Sequence, residues 1–175
     1  MRVFKFGGAS VKDAEGVVNV VKVLTQMGHE DTLVVVSAMG KSTNAFEGVV
    51  EAYFEDPDSY KAALHDIEMF HQEIVEELFN GAHGPVAERV KNLCAQCEIF
   101  LANNRSPHNA FVYDQVVSFG ELLSTSIICA YLNHIGIAAE WVDARSCIKT
   151  DNFYRSAHLN CCLLYTSDAA DDRSC

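Results

Sequence analysis

The sequence predicts an α/β fold built around a mostly parallel sheet, and three observations predict it. Short β-branched runs alternate with longer segments of helical period, the pattern of strand-helix-strand units. A Gly7-Gly8 pair follows the first strand directly and leads towards the first helix. No internal repeat or low-complexity linker interrupts the alternation, and the chain is long enough for a single core of ordinary domain size.

Taken in order, Arg2 to Phe6 is a short, mostly apolar run expected to form a buried parallel strand. Val17, Val20, Val21 and Leu24 then fall at i, i+3, i+4 and i+7, one face of a helix. Thr32 to Ser37 is a second β-branched strand. Thr43 and Asn44 are placed to cap a helix through Ala45 to Phe54, which Asp56-Pro57-Asp58-Ser59 stops. Asp58 or Ser59 caps the next helix. Its apolar stripe is Tyr60, Leu64, Ile67, Phe70, Ile74 and Leu78, its other face is mostly Glu, Asp and His, and Asn80-Gly81 ends it. After Gly84-Pro85 a further helix runs to about Leu101, and Asn103 to Pro107 is a turn. A long helix spans Phe111 to Asn133, closed by His134-Ile135-Gly136, and Ile137 to Val142 is expected as a third strand.

Composition narrows the function classes. The net charge is −11, which argues against nucleic acid or an anionic membrane as partner, since both need clustered Lys and Arg. Lys5 is followed by glycines rather than by the apolar core of a signal peptide, and no apolar stretch is expected to span a membrane. A soluble cytoplasmic protein is the expectation. Cys94-Ala95-Gln96-Cys97 has the spacing of zinc and redox sites. Yet Cys97 shares helical spacing with Val90, Leu93, Phe100 and Leu101, and no second pair completes a four-ligand set. Core packing is the better reading of these thiols, and no metal site of protein ligands is expected.

The stretch Lys5-Phe6-Gly7-Gly8-Ala9-Ser10 points to phosphate. Glycines let backbone N–H groups approach an oxyanion, unpaired N–H groups of a helix N-terminus add partial positive charge, and Lys5 adds a full one. Neither the dinucleotide fingerprint G-x-G-x-x-G nor the P-loop G-x-x-x-x-G-K-[ST] is present. A lysine before paired glycines at the N-terminus resembles the opening of the amino-acid kinase superfamily, and KFGGAS is closer still to the aspartokinases. Three further segments carry the same resemblance in the expected order. They are Ser37-Ala38-Met39-Gly40-Lys41-Ser42-Thr43-Asn44, Ser118-Phe119-Gly120-Glu121-Leu122-Leu123-Ser124, and Asp143-Ala144-Arg145 with Ile148, Thr150 and Asp151.

This resemblance implies the N-terminal half of an amino-acid-kinase-like three-layer sandwich, occupying residues 1–161. It implies a parent enzyme that phosphorylates the side-chain carboxylate of L-aspartate with ATP and Mg2+, opening lysine, threonine and methionine biosynthesis. Lys5 would stabilise the transferring phosphoryl group. Phe6, Gly7, Gly8 and Ser10 would line the phosphate side, and Ser37, Thr43 and Glu121 the aspartate side. The rest of the nucleotide site, the regulatory domains or a fused homoserine dehydrogenase, and the contacts of a homo-oligomer would lie elsewhere in the parent, leaving this segment inactive alone. Two alternatives remain: another member of the superfamily, acting on glutamate, acetylglutamate or a nucleotide, and a non-catalytic helical interaction module. Residues 162–175 resemble a translated transposon-type sequencing adapter, which in one frame reads CLLYTSDAAD; the alternative is an ordinary acidic terminus.

Overall fold

The computed structural model describes residues 1–56, 59–81 and 84–160. They belong to two compact units, Met1–Glu140 and Trp141–Cys175. In the first, β1 (Arg2–Phe6) pairs in parallel with β2 (Thr32–Val36), setting Phe4 against Val34 and Lys5 against Val35. A parallel pair needs a crossover, and α1 (Ala14–Met27) supplies it. The Asp13 side chain caps α1 by accepting from the Gly16 N–H at 2.9 Å, and Val17, Val20 and Leu24 are buried as their period predicts. At the far end of α1 the Arg2 guanidinium donates to the Met27 and Glu30 carbonyls, tying the helix end to the start of β1.

The sheet is less enclosed than expected. Phe4, Phe6, Val34 and Val36 share its sheltered face. The opposite face carries Lys5 together with Val3, Leu33 and Val35, which are 60%, 47% and 43% exposed. Side chains alternate along a strand, so covering one face of a two-stranded sheet leaves every second residue in water.

Most of the first unit is helical: α2 (Ser42–Glu55), α3 (Tyr60–Phe79), α4 (Gly84–Asn103) and α5 (Asn109–His134). Helices α2 and α4 each pack against α3 and α5 around Phe46, Val49, Ile67, Val75, Val90, Leu123 and Ile127. Three local expectations shift. Helix α2 starts at Ser42, so Thr43 and Asn44 lie in its first turn instead of capping it. The Ser59 hydroxyl donates back to the Ala52 and Asp56 carbonyls at 3.2 and 2.8 Å and does not cap α3; Asp58 lies outside the described residues. On α3 the buried stripe takes in His71, while Phe70 is left 36% exposed. Asn80 closes α3 as expected, in a left-handed conformation at φ 48°.

Helix α5 corrects another expectation, because by length and composition it is long and apolar enough to cross a membrane. Here it packs against α2, α3, α4 and β2, and a helix enclosed on so many sides is apolar around most of its circumference. The third strand does not form over Ile137–Glu140. There the Asn133 amide donates to the Ala139 carbonyl at 2.8 Å, and its oxygen accepts from the Ala139 N–H at 3.2 Å. One side chain thus occupies both backbone groups that a sheet ladder would use.

In the second unit α6 (Ala144–Cys147) is a single turn capped by Asp143, which accepts from the Arg145 N–H at 3.0 Å. The side-chain hydrogen bond from Arg145 to the same carboxylate holds Asp143 below the ordinary carboxylate range. Thr150 and Leu159 form an antiparallel bridge, inside which Asp151 accepts from the Phe153 and His158 N–H groups at 3.1 and 3.0 Å. The adapter-like segment 162–175 lies outside the described residues.

Candidate active site

Parallel strands end at the same edge, so the turn after β1 and the loop after β2 are neighbours by construction. The Ser37 N–H donates to the Phe6 carbonyl at 3.0 Å and the Gly40 N–H to the Gly8 carbonyl at 3.1 Å. The two glycines of the turn differ sharply. A Cβ on Gly8 would lie 2.7 Å from the Ala38 carbonyl oxygen and 3.1 Å from that of Gly40, so the approach of the two loops requires glycine. Gly7 has φ −78° and ψ 164°, accessible to any residue, and a Cβ there would meet nothing within 4 Å. No contact among the described residues accounts for glycine at that position.

The helix N-terminus expected beside the glycines is displaced. Gly8–Val11 forms a single 3-10 turn, closed by the Ser10 N–H on the Gly7 carbonyl at 2.9 Å. Helix α1 begins only at Ala14, and its first turn is engaged by Asp13. Backbone donors near Gly7 therefore come from the turn itself rather than from the end of α1.

Helix α5 closes the other side. Glu121 Oε1 accepts from the Ala38 N–H at 3.4 Å, and Ser124 Oγ donates to the Ser37 carbonyl at 2.7 Å. Between α5 and the loop, a Cβ on Gly120 would come within 2.9 Å of the Ala38 Cβ. Glu121 and Ser124 are three residues apart and so lie on one helix face, and both fall in the Ser118–Ser124 segment that carries the resemblance. The structure thus brings Gly8, Ser37 and Glu121 together. Lys5, on the exposed face of β1, makes no ion pair among the described residues. Phe6 is half-buried at the strand's end, Ser10 is exposed, and Thr43 is half-buried in the first turn of α2.

Sequence reasoning missed one buried polar contact beside this loop. His71 Nδ1 lies 2.7 Å from the Ile67 carbonyl, and Nε2 lies 3.4 Å from Ser42 Oγ. Burial holds the imidazole pKa below its ordinary value, opposed by the bond to Ile67. The cysteine pair behaves as core: Cys94 and Cys97 are buried in α4, and desolvation pushes both thiols up to about 12, with Glu68 adding to the shift at Cys94. Among the described residues no group of three His, Cys, Asp or Glu side chains could hold a metal ion.

Known proteins resemble this chain. Residues 1–169 match the model of the Amino acid kinase family. The chain belongs to that family. Aspartokinase 3, chloroplastic, of Arabidopsis thaliana is 34% identical over 162 residues, covering 86% of this chain and 27% of the relative. Bifunctional aspartokinase/homoserine dehydrogenase 2 of Escherichia coli K12 is 26% identical, covering 84% of this chain and 18% of the relative. Aspartokinase III of E. coli, solved in complex with aspartate and ADP, superposes with a TM-score of 0.84 at 24% identity. That match covers 98% of this chain and 37% of the other, and it shows a shared α/β fold. This chain therefore spans well under half the length of these kinases.

Proposed function

We propose that this chain is the N-terminal part of an aspartokinase, an enzyme that transfers the γ-phosphoryl group of ATP to the side-chain carboxylate of L-aspartate. The observation that carries the reading is the meeting of the Gly7-Gly8 turn, the Ser37–Lys41 loop and Glu121 at the carboxyl ends of two parallel strands. The open space at Gly7 favours a ligand approaching the backbone there. The aspartokinase names of several relatives, and the aspartate and ADP in one structural neighbour, support the same substrates for the parent.

The nucleophile needs no general base, because the aspartate side chain is ionised at neutral pH. One carboxylate oxygen forms a bond to the γ-phosphorus, the bond to the bridging oxygen breaks, and ADP leaves with that electron pair. The product is 4-phospho-L-aspartate. An anion attacks an anion, so the barrier is largely electrostatic. In this reading Lys5 faces the transferring group, the Gly7-Gly8 backbone with Phe6 and Ser10 borders the phosphates, and Ser37, Thr43 and Glu121 border aspartate, Glu121 pairing with its α-ammonium. Mg2+ would enter with the nucleotide, on its phosphates. We assign the full-length protein to the soluble, homo-oligomeric kinases of lysine, threonine and methionine biosynthesis, and residues 162–175 to an adapter-derived tail; the segment alone is expected to be inactive.

Glu121→Gln tests the substrate side directly. Its amide oxygen can still accept from Ala38, but the charge is gone. In the full-length kinase the KM for aspartate should rise about ten- to a hundredfold, the worth of a charged hydrogen bond, with the KM for ATP nearly unchanged. Thr43→Ala should act in the same direction. Unaltered aspartate kinetics in both variants would remove Glu121 and Thr43 from the substrate site.

A further inference from the structure

We infer that His71 is a positioning residue for the substrate loop, holding Ser42 and thereby Thr43 in place from the helix behind them. The inference rests on the aspartate reading above. A carbonyl only accepts, so the 2.7 Å contact with Ile67 puts the ring hydrogen on Nδ1. Nε2 is then an acceptor, and the Ser42 hydroxyl, 3.4 Å away, donates to it. Both partners are enclosed: His71 has no exposed surface and Ser42 retains 3%. An apolar pair would fill such a site without the desolvation that two polar groups incur, so their mutual bond is what makes this pair tolerable.

The placement of Ser42 gives the bond its use. Its N–H donates to the Met39 carbonyl at 2.9 Å, so its backbone closes the loop while its side chain is held by α3. Upstream, Ser124 and Glu121 hold Ser37 and Ala38 from α5. The loop is therefore fastened from two helices, α5 at its start and α3 at its end. Thr43 is the next residue along α2, and any shift of Ser42 carries it away from its position. Burial keeps the imidazole neutral, so Nε2 stays an acceptor at neutral pH.

The test uses the full-length kinase carrying this segment. His71→Asn can keep a donor near Nδ1 but has nothing at Nε2, whereas His71→Gln can return an acceptor there. His71→Asn and Ser42→Ala should each raise the KM for aspartate about tenfold, with the KM for ATP unchanged and kcat within about threefold. The double variant should be no worse than either single one, because both remove the same bond. His71→Gln should recover most of the aspartate affinity. Amide hydrogen exchange should quicken over residues 37–44 in His71→Asn and stay unchanged in α4. Ser42→Ala carries the test where His71→Asn does not fold. Unchanged aspartate KM in a folded Ser42→Ala variant, or equal losses for both substrates with a general fall in Tm, would overturn the inference. A parent without aspartate kinase activity would instead sink the functional reading; exchange over 37–44 would still decide whether His71 holds the loop.

Discussion

At the ends of the two strands the fold leaves capacity unused: Lys5 has no ion pair among the described residues, and Gly7 has open space where a side chain would sit. In α4 the opposite holds. Cys94 and Cys97 have a spacing that suits metal or redox chemistry, yet both are packed into the core with their thiols held protonated. Residue types alone do not distinguish the two regions. What distinguishes them is whether packing already accounts for each group. A charge or a glycine that packing does not explain is where a ligand is to be sought, and a reactive type fully explained by its neighbours is core.

The largest expected effect falls on Lys5. In the full-length kinase, Lys5→Ala should lower kcat on the order of a hundred- to a thousandfold while changing the KM for aspartate little, because its charge matters most as the phosphoryl group transfers. Lys5→Arg should not rescue fully, since a planar fork does not replace a compact ammonium beside the two glycines. Wild-type turnover in a folded Lys5→Ala protein would leave Lys5 a surface charge like any other.

The glycine pair sharpens the same contrast. Gly8→Ala forces a Cβ to within 2.7 Å of a backbone carbonyl oxygen, and something must move. A destabilisation of about 1–3 kcal/mol is expected, typical of overpacking, and thermal melting reads it. Gly7→Ala should leave the melting temperature unchanged or slightly raised, since its backbone angles suit alanine. Its effect should appear in the KM for ATP, where the new methyl group occupies the space a phosphate needs. The reverse pattern, a stability loss at Gly7 without any change for ATP, would show that the open space there serves no ligand.

The two loops were legible in the sequence because each is marked by residues that do one thing well: glycine for close approach, lysine for charge, a β-branched run for the strand before it. The exposed face of β1 was not, because an apolar run reads the same whether one face or both are covered. His71 was hidden by Phe70. Adjacent residues on a helix lie about 100° apart: His71, four after Ile67 and three before Ile74, falls in the middle of the buried α3 stripe and Phe70 at its edge, but hydrophobicity favoured the phenylalanine. Its bond to Ser42, a residue far away in sequence, could not be read from the pattern. The missing third strand was not legible either. Ile137 to Val142 has strand composition, but Asn133 occupies the Ala139 backbone, a side-chain interaction that no periodicity reveals.

The smallest effect is expected in α4, and it tests the other half of the comparison. Burial raises both thiols from the ordinary value near 9.0 to about 12, so at pH 8 almost no thiolate is present in the folded chain. Iodoacetamide should label Cys94 and Cys97 only as fast as the protein unfolds, while Cys147, which is exposed, labels readily. The same shift fixes a pH dependence. A thiol whose pKa is raised by folding keeps its proton in the native state after the unfolded chain has lost it. The contribution is therefore fully present below about pH 9 and is lost as pH rises from there towards 12. Replacing both cysteines with alanine should flatten the alkaline fall in melting temperature, cost a modest amount of packing and leave kinase kinetics in the full-length protein untouched. Rapid labelling of Cys94 or Cys97 in the folded state, or a loss of turnover in the double variant, would move this pair from the core to the chemistry.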